Sequence, residues 1–180
     1  MKEYITASFV TGEQIKEIRK KLKMTQKEFA AFVCASVPTI ERWERSKDRI
    51  TGPVVTILTI LMMDNGIVKR MELPEEKQKI RLNYMYENFV CTVIDADEMK
   101  RTVKIKNYTD NLMFRAFGKN TEPTFEEYEA FLESRCFPGS RDKIKLVLED
   151  LDLPFYDPYL IIEKTEGRMA EDRFWIRIDR

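Results

Sequence analysis

The chain has 180 residues, 43% apolar and 34% charged, which is enough to bury a core and too apolar for compositional disorder. Its 31 basic and 31 acidic side chains cancel, and it holds no histidine. That excludes Ser-His and Cys-His catalysis and His-containing metal sites. The three cysteines, Cys34, Cys91 and Cys136, show no CxxC spacing, which argues against a disulfide framework and a zinc site. Neither a GxxxxGKS/T nor a GxGxxG phosphate cradle is present, so no cofactor, metal site or catalytic residue is expected. The longest apolar run, Val54 to Met63, is about half a membrane span. Met1 to Thr11 carries Glu3 and too short an apolar stretch for a signal peptide, so the expected compartment is the cytoplasm, with no membrane partner.

The charge is not spread evenly. Residues 1–66 carry 11 basic and 8 acidic side chains, and residues 67–180 carry 20 and 23. Within 16–49 the ratio is 10 to 5. A basic unit beside an acidic one suggests a polyanion for the first and a different partner for the second.

The first third reads as five short helices. Thr11 with Gln14 forms a capping box that starts a helix at Gly12, with Ile15, Ile18 and Leu22 as its buried stripe. Lys16, Arg19, Lys20, Lys21 and Lys23 take its other faces. Thr25 with Glu28 opens a second helix through about Phe32. Ser36 caps a third, with Pro38 in its first turn, where a missing N–H costs little. Ile40 and Trp43 face inward. Thr51 before Gly52-Pro53 signals a fourth start, with Val54, Ile57, Leu58 and Leu61 as the apolar face. Asp64-Asn65-Gly66 is a stop, and Ile67 to Glu72 is a further short helical stretch.

Only Cys34 to Ser36 separate the second and third helices, so the pair meets at a steep angle with the third projecting. Met24-Thr25-Gln26-Lys27-Glu28-Phe29-Ala30, followed by Ser36-Val37-Pro38-Thr39-Ile40-Glu41-Arg42-Trp43-Glu44, resembles the Cro/C1 (Xre-type) helix-turn-helix family. The Arg-Trp-Glu run, then Thr-Gly-Pro and a leucine-rich helix, is similar to the DNA-binding domains of many bacterial antitoxins. The resemblance covers about residues 11–64. It implies a recognition helix, Val37 to Glu44, in the major groove of a double-stranded DNA operator, with a homodimer spanning two half-sites. It places Gln26, and beside it Thr25, at a phosphate, a contact that helix N-terminal amides favour. It puts Val37, Pro38 and Thr39 nearest the base edges, with Ser36 before them among the DNA-contacting residues. Arg42 can reach guanine O6 and N7 bidentately, and Arg45 and Lys47 follow the helix toward the backbone. For Arg42 the plain alternative is a surface ion pair with Glu41; for Trp43, core closure is the better reading.

Two departures from the family stand out. Cys34 occupies a turn position where the family usually has glycine and where φ tends to be positive. Glu41 and Glu44 put carboxylates on or near the reading helix, with Glu17 and Glu28 nearby, which should weaken non-specific binding to phosphates.

Residues 67–86 read as a helical linker, with Leu73-Pro74-Glu75-Glu76 as a helix start. Residues 87–180 read as an α+β domain for partner binding, dimerisation or ligand sensing. Phe89 to Ile94 and Thr102 to Lys106 form a hairpin around a solvated Asp95-Ala96-Asp97-Glu98 turn. Thr124 with Glu127 caps a helix through Ser134, Ser140 caps another, and Asp157-Pro158 starts one ending near Gly167. Phe174, Ile176 and Ile178 alternate as a last strand joining the hairpin. Arg135, Arg141, Lys143 and Lys145 near Cys136, and Lys164, Arg168, Glu171 and Asp172 before Trp175, could flank an anionic or protein ligand. Ordinary helix ends and surface pairs explain them equally well.

The expected fold class is therefore α+β: an all-α helix-turn-helix bundle over 1–66, then a small domain with an antiparallel sheet. The expected function is a sequence-specific transcriptional regulator, an antitoxin-like autorepressor whose C-terminal domain holds a protein partner. The alternative is a protein-binding inhibitor, such as a phage-encoded inhibitor of a host defence nuclease, whose helix-turn-helix only autoregulates its gene. An enzyme acting through Lys, Asp or Glu is the weakest reading, since no paired-carboxylate or nucleophile motif stands out.

Overall fold

The computed structural model describes residues 4–64 and 66–179. Glu3, and Asn65 of the expected stop signal, lie outside them. The chain divides into two units, Met1–Met71 and Glu72–Arg180, and the two together make the α+β fold expected.

In the first unit the capping residues set the helix starts. The Thr11 hydroxyl accepts from Gln14 N and the Gln14 side chain returns to Thr11 N, opening α1 (Gly12–Lys21). Thr25 and Glu28 do the same for α2 (Gln26–Phe32). Ser36 caps α3 (Val37–Arg45), with Pro38 in its first turn. At α4 (Pro53–Met63) the cap is Gly52: its φ of 98° is one that L side chains rarely adopt, and no side chain bonds there. α5 (Ile67–Met71) ends the unit. Ile15, Phe29, Ile40 and Leu58 are the most buried apolar side chains of its core, each at most 1% exposed. An antiparallel bridge between Val10 and Ile50 ties the entry strand to the segment before α4. No local pattern announces this pairing, because its two residues lie forty positions apart.

The second unit is a four-stranded antiparallel sheet with helices on one face. Its strands are β1 (Ile80–Tyr86), β2 (Phe89–Asp97), β3 (Thr102–Asn107) and β4 (Phe174–Asp179), in the order β3-β2-β1-β4. The helices are α6 (Phe125–Ser134), α7 (Ile144–Asp150) and α8 (Pro158–Thr165). Leu82, Ile94, Ala96 and Ile176 from the sheet pack with Phe125, Tyr128 and Leu132 of α6 and with Ile161 and Ile162 of α8.

Several expectations are corrected here. The linker over 67–86 is not helical beyond Met71: Ile80–Tyr86 is an inner strand of the sheet. Ile80, Leu82, Tyr84 and Tyr86 recur at period two and meet the helices, and that alternation outweighs the helix start that Pro74 suggests. A boundary at 86 would cut the β1–β2 hairpin. The last strand joins β1, not the β2–β3 hairpin. Asp95 and Asp97 belong to β2 and are buried rather than solvated. Asp95 is paired bidentately with Arg81, at 2.8 Å for both contacts, and Arg81 also donates to Pro74 O and Glu76 O. Asp97 accepts from Met99 N and Lys100 N and so closes the turn. α7 begins after Lys143, itself left-handed at φ 59°, so Ser140 caps nothing.

Of the two basic clusters Arg135 is scaffold, while Arg141, Lys143, Lys145 and Lys164 are exposed. Arg135 is buried; it donates to Gly167 O at 3.0 and 2.8 Å, to Phe174 O at 2.9 Å, and pairs with Asp172 at 2.6 Å. Arg168 lies over the Trp175 ring. Cys91 and Cys136 are buried, and burial pushes the Cys136 thiol up to about 12, far from a thiolate.

Candidate nucleic-acid interface

The site is built on α2, the tight turn after it, and α3. Cys34 sits in that turn with φ 54°, as the family comparison of the turn predicts. An L residue tolerates this conformation only at a cost. The turn places α3 across α2, and Ile40 and the half-buried Trp43 anchor its inner side.

Glu44 decides how the three helices are held. Its carboxylate accepts from Arg19 Nε at 2.6 Å and Nη2 at 3.0 Å, and from Gln26 Nε2 at 2.8 Å. Arg19 also donates to Met24 O at 2.9 Å. Glu44 is 5% exposed and Arg19 13%, so α1, α2 and α3 meet at one shielded ion pair. The hydrogen bond from Arg19 holds the Glu44 carboxyl below its ordinary range, against the opposing effect of burial. Arg19 is therefore not a free surface cation, and Glu44 is not a carboxylate facing a phosphate. Sequence reading missed this pair because its partners are 25 positions apart and neither side chain departs from a surface pattern. The α1–α3 approach adds a second unannounced constraint. A Cβ on Gly12 would stand 2.2 Å from Trp43 O.

Two other acids near the reading helix are also engaged, while Glu17 and Asp48 are exposed. Glu28 closes the α2 capping box through Thr25 N at 2.6 Å. Glu41 lies 3.7 Å from Arg45 one turn on. The Glu41 partner is thus Arg45 and not Arg42.

The structure distributes the expected contact residues as follows. Ser36, Pro38, Arg42, Arg45 and Lys47 are exposed. Among the described residues, no acid lies within ion-pair distance of Arg42 or Lys47. Thr39 is half-buried and shares a 2.8 Å hydroxyl bond with Ser36, so both are occupied in the cap. Val37 is half-buried against the core. Thr25 is exposed, with its hydroxyl accepting from Glu28 N. Gln26 is half-buried and spends one N–H on Glu44. A cationic, solvent-facing edge with Arg42 and Lys47 is thereby left along and just after α3, while the Glu44 carboxylate is turned inward onto Arg19.

A projecting second helix after a short turn, cationic on its open side, defines a helix-turn-helix DNA-binding module. Residues 15–59 match the family model described as helix-turn-helix, of the Cro/C1 type. The match runs from Ile15 within α1 through α2 and α3 to Thr59 in α4, and it supports a DNA-binding regulator. No curated protein and no solved structure matches the chain. No helix among the described residues is long and apolar enough to cross a membrane. No group of three or more Cys, Asp or Glu among them is placed to hold a metal ion.

Proposed function

We propose that the protein is a sequence-specific transcriptional regulator, an antitoxin-like autorepressor that binds double-stranded DNA in the cytoplasm. The single observation that carries the reading is the state of α3: Arg42 stands exposed with no acidic partner among the described residues, while Glu44, two residues on and so on the other side of the helix, is folded inward onto Arg19. Val37, Pro38, Thr39 and Arg42 face base edges. Thr25, Gln26, Ser36, Arg45 and Lys47 hold phosphates. Two copies occupy half-sites about 34 Å apart. The second unit, with its own core and sheet, serves as the interaction domain that takes a protein partner.

Fluorescence anisotropy with the gene's own upstream DNA, over a salt series, tests this. Arg42→Ala should cost about 1–3 kcal/mol of operator discrimination. As a change at an exposed site, it should leave stability within about 0.5 kcal/mol. Absence of binding to that DNA, or a variant indistinguishable from the parent, overturns the assignment.

A further inference from the structure

The second unit carries a cleft of about 540 Å³ that the DNA-binding reading does not use. That volume suits a small organic ligand rather than a single ion. Three elements meet there: the β2–β3 turn with Glu98 and Arg101, α6 through Phe125, Tyr128, Glu129, Leu132 and Glu133, and the start of α8. Glu98, Glu129, Glu133 and Asp157 set four carboxylates around it against the one guanidinium of Arg101. That guanidinium is already spent. It is held by Glu126 at 2.9 Å and Glu129 at 3.1 Å, and lies over the Phe125 ring. Glu98 and Glu133 are exposed and have no ion pair among the described residues.

A second observation is independent of these charges. Tyr128, 1% exposed, lines the cleft with a hydroxyl that has no hydrogen-bond partner. Tyr128 lines the same cleft as Glu98, Glu129 and Asp157. A buried, unpaired hydroxyl is costly, and a phenol oxygen can accept from an incoming N–H. An anion finds no reception here. The α8 start offers no donor at Pro158, and the Asp157 side chain already accepts from Leu160 N. Apolar walls from Leu132 and Pro158 favour a cation carried on a carbon chain.

We propose that this cleft binds an organic cation, a primary ammonium or a guanidinium on an alkyl stem, with Glu98 and Glu133 pairing the charge and the Tyr128 hydroxyl accepting one N–H. Either a free amine or a basic side chain presented by a protein partner has this chemistry. The site is independent of DNA binding.

The test is amide-resolved NMR of the full chain, titrated separately with spermidine, with L-arginine amide and with the peptide acetyl-Gly-Arg-Gly-amide. Sodium and magnesium chloride at matched ionic strength serve as controls. Saturable shifts centred on Glu98, Tyr128 and Glu133 are expected. Glu98→Gln and Glu133→Gln should each weaken binding roughly fivefold, the scale of one charge-assisted contact in a partly screened site. Tyr128→Phe, which keeps the ring and the packing, should weaken it measurably without lowering the melting temperature. Tighter binding of spermidine assigns a free amine, and tighter binding of the peptide assigns a protein side chain. No saturation at millimolar concentration, equal shifts with the salts, or unchanged affinity in all three variants overturns the proposal.

Discussion

Replacing Glu44 by alanine removes the acceptor shared by α1, α2 and α3. Arg19, 13% exposed, then keeps only its bond to Met24 O, and the Gln26 amide loses its partner. Breaking a shielded ion pair by deleting one member costs about 3–5 kcal/mol, because the survivor stays desolvated. The small exposure of Arg19 lets water recover part of that, so about 3 kcal/mol is expected. In a unit of this size, that is a fall in melting temperature of more than about 10 °C. The assay is urea unfolding followed through Trp43 with Trp175→Phe as background, since the chain has two tryptophans, one in each unit. The pH dependence has a definite sign. Arg19 holds the Glu44 carboxyl below its ordinary 4.5 in the folded state. The pair's contribution is therefore complete above that value and is lost as pH falls through the depressed folded value. The stability difference between parent and Glu44→Gln should be flat from neutrality down to about pH 5 and shrink below it. A loss under about 0.5 kcal/mol for Glu44→Ala would be ordinary surface behaviour and would refute a stabilising role for the network.

Three further outcomes follow from close geometry. Gly12→Ala drives a Cβ to 2.2 Å from the Trp43 carbonyl, a backbone atom that cannot swing away, and should destabilise the first unit by about 3 kcal/mol, read by the same Trp43 unfolding curve. Cys34→Gly relieves a residue at φ 54° and should raise stability by about 1 kcal/mol; a lower melting temperature would mean that the side chain contributes packing which the backbone relief does not offset. Arg135→Ala leaves Gly167 O and Phe174 O without their donor and should cost the second unit about 3 kcal/mol, measured through Trp175 in a Trp43→Phe background.

What could be read from the sequence was local. Capping boxes at Thr11, Thr25 and Thr124 mark helix starts because both partners lie within four residues, and the structure places each helix where its box does. Long-range pairing leaves no such mark. Val10 with Ile50, Arg19 with Glu44, and Arg135 with Gly167 are set by how elements pack, and each looks like ordinary loop or surface sequence in isolation. Ile80–Tyr86 departs from the helical expectation for a related reason. A strand inside a sheet and a short helix both show dense apolar residues, and Pro74 tips a local reading toward the helix. At the interface, exposure of Pro38 and Arg42 agrees with the family pattern, but the inward turn of Glu44 has no signal in spacing or composition.

That inward turn bears on Gln26. A side-chain amide carries two N–H groups and one carbonyl. Glu44 takes one N–H at 2.8 Å, and the same carboxylate is fixed by Arg19. Gln26 is therefore anchored before any ligand arrives, with its second N–H left over. Under the proposed reading, Glu44 spares a phosphate contact part of its entropic cost by holding the Gln26 amide in place, as preorganised groups do. Losing Glu44 should then weaken DNA binding even at temperatures where the variant is fully folded. Gln26→Ala should weaken binding in the parent but add little once Glu44 is gone. Independent, additive losses in that double-mutant cycle would show that the two side chains do not act as one unit.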